Sequence, residues 1–416
     1  MRKGVKQKPK QREIPKEVRK REGSQKMSSG PLDLPFLALT LLLVAIGLIM
    51  VLSASYPSAY YDIEGVTNHR ATYYFTKQAA FALMGIGCMF LVSKFDYQHW
   101  RRYAWVLLVV SFVLLLLVRV PGLGVTVNGA TRWLKYPIRF QPSEVAKLGV
   151  ILYFSARLSQ RQEVVRKRYS ARTLQGRILN FFQRIGLLEL IPYGLILLVV
   201  VGLLYLEPHM SATILILVVG AAILFAAGIS VGWFLLAGGA MAGLLTIIIN
   251  ATDYMTQRIQ LWHNPWIEPL NGGYQAIQSL LAIGSGGLLG LGLGNSRQKF
   301  LYLPEEHNDF IFSVVCEELG YIGAVLILLL FALLIIRGYW LALHAKDRFG
   351  SLIIVGVTTL LAFQVFLNVA VVSNLFPVTG ISLPFFSYGG TALMIQLAEM
   401  GIVLSVSRQI PAVKSN

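Results

Sequence analysis

Carboxylates, cations and imidazoles gather in one stretch, residues 258–318, which carries His263, Glu268, Arg297, Lys299, Glu305, Glu306, His307 and Asp309. Glu268 is the candidate general base. It lies between Pro265 and Pro269, beside Trp262 and Trp266. The prolines fix the backbone, and the indoles are expected to dry the surroundings. Both effects raise a carboxylate pKa and hold the group in place, as a general base requires. The bland alternative for the same residue is a solvated loop carboxylate. His263 and His307 show no metal-ligand spacing. The run GSGGLLGLGLGNS lacks the lysine and the preceding strand of a phosphate loop, so it reads as tight backbone packing. Ser387, in SYGG, lies outside the GxSxG context of an activated nucleophile.

A second set of reactive groups lies elsewhere. Arg119, Arg132, Lys135 and Arg139 crowd a loop rich in Gly and Pro, a pattern that suits an anion better than it suits helix-end anchoring. Glu144 and Lys147 stand on one helix face, where they can pair. Glu317, Glu318 and Glu399 interrupt apolar runs. Charges in such runs are costly and usually functional. Gln364, Asn368 and Gln396 read as hydrogen-bonding links between helices.

The elements that position these groups follow from composition. The chain has 416 residues, 55% hydrophobic and 14% charged, with a mean hydropathy of +0.62. A soluble chain carries about 25% charge. Apolar runs of ~20 residues span a bilayer, and their continuity excludes a β-barrel. The expectation is an all-α polytopic membrane protein with about ten transmembrane helices. Their approximate ranges are 34–56, 75–93, 103–120, 143–158, 187–206, 212–227, 231–250, 310–336, 351–373 and 392–406. The 310–336 span is long enough to tilt. A large loop, 250–308, separates the seventh and eighth spans.

Lys and Arg alternate between the loops. The tail 1–33, the turn 94–102, the loop 160–186, the turn 337–350 and the tail 408–416 are the basic ones, which places them and both termini in the cytoplasm. The basic N-terminal tail is expected to touch anionic lipid rather than nucleic acid. Cys88 and Cys316 lie in apolar runs, without redox or metal spacing.

The motifs NGATRWL with FQPSEVAK, NPWIEP, GGYQAIQSL, GLGNSRQKFLYLPEEHNDFIF, EELG and PVTGISLPFFSYGG resemble those of the SEDS proteins of bacterial cell-wall synthesis. The likeness runs from the first span to Arg408. NGATRWL and PVTGISLPFFSYGG are more similar to the division and sporulation branch (FtsW, SpoVE) than to the elongation branch (RodA). The resemblance implies a peptidoglycan glycosyltransferase, residues 34–407, with an extracytoplasmic catalytic loop at 250–308. It would polymerise lipid II, an undecaprenyl-pyrophosphate-linked disaccharide pentapeptide, at the outer face of the cytoplasmic membrane, at the division septum or during sporulation. Its implied partners are a class B penicillin-binding protein that crosslinks the strands and other division proteins.

Glu268 matches the family's catalytic Asp in NPWxDP and departs from it by one methylene. His209, in EPHMS, stands where many relatives have Asp. The pyrophosphate needs cations, and Arg132, Lys135, Arg139, Arg297 and Lys299 are available. Gln141, Ser143, Glu144, Lys147, His307, Asp309 and Ser387 complete the expected substrate-binding set. A divalent cation, Mg2+ or Mn2+, would help the pyrophosphate leave, although the sequence shows no dedicated metal cage. Two other readings stand beside this one. One is a lipid II flippase using Glu144, Lys147 and Glu317. The other is a non-catalytic scaffold for the penicillin-binding protein.

Overall fold

The computed structural model describes residues 30–62, 65–127, 130–135, 139–160, 187–207, 209–239, 243 and 253–410. Its helices are α1 (Leu34–Tyr61), α2 (Tyr73–Lys94), α3 (Gln98–Leu117), α4 (Pro142–Ser159), α5 (Leu187–Leu206), α6 (Met210–Ala226), α7 (Asp253–His263), α8 (Tyr274–Ser285), α9 (Ile311–Leu343), α10 (Arg348–Val372) and α11 (Gly390–Ser407). Six of them, α1–α3 and α9–α11, are long and apolar enough to cross a membrane. Residues 161–186 of the expected loop, half of the seventh span and most of both tails lie outside the described residues.

One departure from an all-helical chain stands out. Residues 119–142 hold an antiparallel hairpin, β1 (Gly124–Val127) on β2 (Ala130–Leu134), with Val125 opposite Trp133. Phe140 extends it by pairing with Leu134.

The loops sort to two ends of the bundle. At one end Asp33 caps α1 through Phe36 N (3.0 Å) and accepts Arg337 Nε (3.1 Å). Beside it Gly30 N donates to Arg408 O (2.8 Å). Asp347 caps α10 through Gly350 N (3.0 Å) and accepts Tyr97 Oη (2.6 Å) and Gln98 Nε2 (2.8 Å). The basic turns 94–102 and 337–350 and the start of α1 therefore share a face. At the other end Gln78 Nε2 reaches Ser387 O (3.1 Å), Ser211 Oγ donates to Thr379 O, and Trp262 Nε1 donates to Asn374 O (3.0 Å). Helix α10 runs through the middle, packed by α4, α6, α9 and α11. The apolar side chains left outside, such as Leu83, Leu91, Trp105 and Leu198, suit a bilayer.

The 33-residue helix α9 breaks where a long tilted span was expected. Gly320 has φ +67° and ψ −173°, a region open to glycine alone. The break frees two carbonyls and two amides inside an apolar helix, and each needs a partner there. The glycine run supplies all four. Leu291 N and Gly292 N donate to Glu317 O and Glu318 O (3.0 Å each), while Tyr321 N and Ile322 N donate to Gly287 O and Leu288 O (2.9 and 3.1 Å). The backbones are in contact: a Cβ on Gly290 would lie 2.1 Å from Glu318 O.

The side chains of Glu317 and Glu318 complete the clamp. Glu317 accepts Arg297 N (3.0 Å), Gln298 N (3.3 Å) and the hydroxyls of Ser285 and Ser296. Glu318 accepts Ser53 Oγ (2.7 Å) and pairs with Lys299 Nζ (2.8 Å). The segment from α8 to Lys299 is thus stitched to α9.

Candidate functional site

Two helices, α4 and α6, begin together at the hairpin end of the bundle. Gln141 caps α4 and His209 caps α6. His209 Nδ1 accepts Ala212 N at 3.0 Å, and its Nε2 lies against the Gln141 side-chain amide. Burial, reinforced by Arg132 and Lys147, pulls the His209 pKa down to about 3, so the ring is neutral. With Nδ1 accepting, the ring proton sits on Nε2, the nitrogen that faces the Gln141 side-chain amide. Imidazole thus performs the capping task that a carboxylate would perform, and it ties the two helix starts together.

Charged groups surround this junction. On α4, Lys147 Nζ and Glu144 Oε2 form a buried pair at 2.7 Å, and Glu399 of α11 faces it. Arg132, on β2, lies within electrostatic reach of Glu207, His209 and Asp309. Burial pulls its guanidinium below the usual range against the attraction of Asp309 and Glu207. Asp309 is pushed up to about 6 by burial and by Glu305, opposed by Arg132 and His307. Asn368 Nδ2 fixes the Asp309 carbonyl at 2.7 Å. Glu207 is fully buried and pushed up to about 8 by burial, against Arg119 and Arg132. Ser143 Oγ and both Glu207 carboxylate oxygens have no hydrogen-bond partner among the described residues. Glu207 and His209 were absent from the expected set, and Arg132, Gln141, Ser143, Glu144, Lys147 and Asp309 from that set converge on them.

The other expected groups sit elsewhere. Glu268 follows a short 3-10 turn, Pro265–Ile267, and accepts Gln257 Nε2 at 2.9 Å. Its backbone carbonyl receives Asn271 N and Gly273 N (3.2 and 3.0 Å). The backbone is held as expected, whereas the drying is not. Trp266 is 61% exposed, and Trp262 is committed to Asn374, whose Nδ2 returns a bond to Trp262 O (3.1 Å). Those two bonds anchor the Glu268 segment to the loop 373–389, and the same loop touches Asp309 through Gly380. One Pro/Gly loop therefore joins the Glu268 segment to the Arg132 cluster.

Lys299 was expected on the pyrophosphate. Only 2% of it is exposed, and its ammonium is spent on Glu318 and Ser53, so the clamp consumes it. Ser387 is likewise engaged: it donates to Asn308 O (2.8 Å) and accepts Leu383 N (2.7 Å). His307 is buried between the rings of Tyr74 and Tyr388 (4.6 and 5.7 Å). Arg297 and Lys135 are exposed. Arg139 lies over the Trp133 ring at 5.0 Å, as an interfacial anchor would.

The family model for FtsW, RodA and SpoVE, described as cell cycle proteins, matches residues 34–411. Stage V sporulation protein E of Bacillus subtilis is 40% identical over 379 residues, covering 90% of this chain and 97% of that one. A probable peptidoglycan glycosyltransferase FtsW of Geobacter sulfurreducens is 38% identical, covering 91% and 95%. Among solved structures, a chain of a peptidoglycan synthase complex that coordinates polymerization and crosslinking superposes with a TM-score of 0.71 at 29% identity, over 92% of this chain and 99% of that one. The rod shape determining protein RodA of Thermus thermophilus gives 0.62 at 29%, over 91% and 97%. The chain belongs to the FtsW/RodA/SpoVE family.

Proposed function

We propose that this family member is a peptidoglycan glycosyltransferase that polymerises lipid II on the outer side of the cytoplasmic membrane. The observation that carries the reading is likeness along nine-tenths of the chain to proteins named for that activity. The site supports it. Arg132 stands in a buried cluster at the end of the bundle opposite the basic turns, where a lipid pyrophosphate can be neutralised. Glu268 is the base. It takes the proton of the acceptor sugar hydroxyl as that oxygen attacks the anomeric carbon of the donor. The bond to the pyrophosphate breaks, undecaprenyl pyrophosphate leaves with its electron pair, and the anomeric centre inverts in one displacement. No covalent enzyme intermediate is needed.

With 231–250 as a seventh span the chain crosses the membrane about ten times, and both termini lie inside. Septal or sporulation use, and a class B penicillin-binding protein as crosslinking partner, belong to the same reading, supported by a sporulation protein among the relatives and a complex of polymerization and crosslinking among the solved structures. Purified protein incubated with lipid II tests the reading. Glycan strands are the expected product. Labelled lipid crossing a liposome without strands would make the chain a transporter, and neither outcome would leave a scaffold.

A further inference from the structure

We infer that Glu207 is a further binding residue of this site: it carries a proton and, with Ser143 Oγ, donates a hydrogen bond to the lipid pyrophosphate that Arg132 faces. The inference rests on the glycosyltransferase reading only for the identity of the ligand.

The geometry comes first. Glu207 closes α5, two residues before the His209 cap of α6, and is 0% exposed. A buried carboxylate with no partner on either oxygen is rare in native proteins and calls for an explanation. Here a second orphan accompanies it. Ser143 Oγ, also 0% exposed and unpartnered, lies two residues beyond the Gln141 that His209 engages. Ser143 stands in the first turn of α4, and Glu207 stands between the end of α5 and the start of α6. Helix starts attract anions. Arg132 faces the same junction, so the surroundings suit an anion rather than a cation.

An ionised Glu207 would oppose that anion, and a protonated one would assist it. The charged groups that face Glu207 are Arg119 at the end of α3 and Arg132 on β2. Lys147 of α4, paired with Glu144, acts on the adjoining neutral His209, and Asp309 acts on Arg132. Burial outweighs both arginines and pushes Glu207 up to about 8, so the acid is mostly protonated at neutral pH. A carboxylic acid kept neutral by its site is a strong donor to an oxyanion.

Binding of undecaprenyl pyrophosphate in detergent micelles, measured at pH 7 and 9.5, tests this without requiring turnover. In the unmodified protein, affinity should fall about 30-fold over that range as Glu207, with its pKa of about 8, ionises. In Glu207→Gln, which cannot ionise, the fall should shrink below about threefold, and this variant also accounts for ionisation of the ligand and of every other group. Glu207→Ala should weaken binding at pH 7 by about tenfold, the worth of a hydrogen bond to a charged group. Inorganic pyrophosphate should compete, which assigns recognition to the headgroup, whereas displacement by undecaprenol alone would overturn it. An equal pH dependence in the unmodified protein and Glu207→Gln would overturn the inference and leave the polymerase reading intact. Glu207-dependent binding without glycan synthesis would sustain the site and sink the polymerase.

Discussion

Lys299→Met separates a structural role from a ligand role. The lysine and Glu318 are 2% and 0% exposed and pair at 2.8 Å. Removing one partner of such a pair strands the other charge and costs about 3–5 kcal/mol. Glu318 would be left with Ser53 Oγ and a long contact from Ser296 N. Unfolding entropy near the melting temperature is about 2.1 cal/mol/K per residue, or roughly 0.9 kcal/mol/K for this chain, so the loss corresponds to about 3–6 °C. Melting of the purified protein in detergent reads it directly. Glu318→Gln alone strands the lysine and should cost a similar amount. Lys299→Met with Glu318→Gln removes both charges, and its melting temperature should lie well above the sum of the two single losses. The reasoning fails if Lys299→Met melts with the unmodified protein yet loses lipid II affinity. It fails equally if the two single losses simply add.

Glu268→Gln keeps shape and the Gln257 contact but cannot take a proton. Polymerisation should fall by roughly 10²–10⁴-fold, and full activity would remove this residue from the mechanism. Glu268→Asp should retain part of the activity, since a carboxylate remains, and a dead enzyme would mean that reach matters as much as charge. Arg132→Ala should raise the lipid II dissociation constant at an unchanged melting temperature, and tight binding by the folded variant would free Arg132 from the site. Cysteines at Asn271 and Lys346, both exposed, should react with impermeant maleimide from opposite sides of sealed vesicles. Labelling of both from one side would end the topology.

Six spans, and the gathering of the basic turns 94–102 and 337–350 at one end, were legible because hydropathy and Lys/Arg content are local quantities. The long α9 was legible as apolar but not as broken. Gly320, with Gly323 close behind it in the same run, carries no mark of a kink, and the partner that makes the kink tolerable lies some thirty residues upstream. The hairpin left a signal that the composition of its loop obscured. In the sequence, Asn-Gly between VTV and ATRWL is a hairpin signal flanked by strand-forming residues. Lys299 looked like an outward cation because its partner is a carboxylate in another motif, and only folding brings the two together. Trp262 and Trp266 were expected to do the same work, yet one is tied to Asn374 and the other faces out.

Glu207 was the least legible. A carboxylate between an apolar run and Pro208 looks like an ordinary solvated span end, and its burial shows only in the folded chain. What distinguishes it from Glu317 and Glu318 is satisfaction. All three are buried, at 0–1% exposure. The EELG pair meets an ammonium, serine hydroxyls and loop amides, which accounts for both charges as structure. Glu207 meets nothing within hydrogen-bond reach among the described residues. A membrane domain stabilises a buried carboxylate through partners it supplies itself or through a proton. Carboxylates of the first kind hold the fold, and the one of the second kind remains able to donate to a ligand. By that criterion the conspicuous pair in EELG belongs to the scaffold, and the inconspicuous acid in EPHMS belongs to the site.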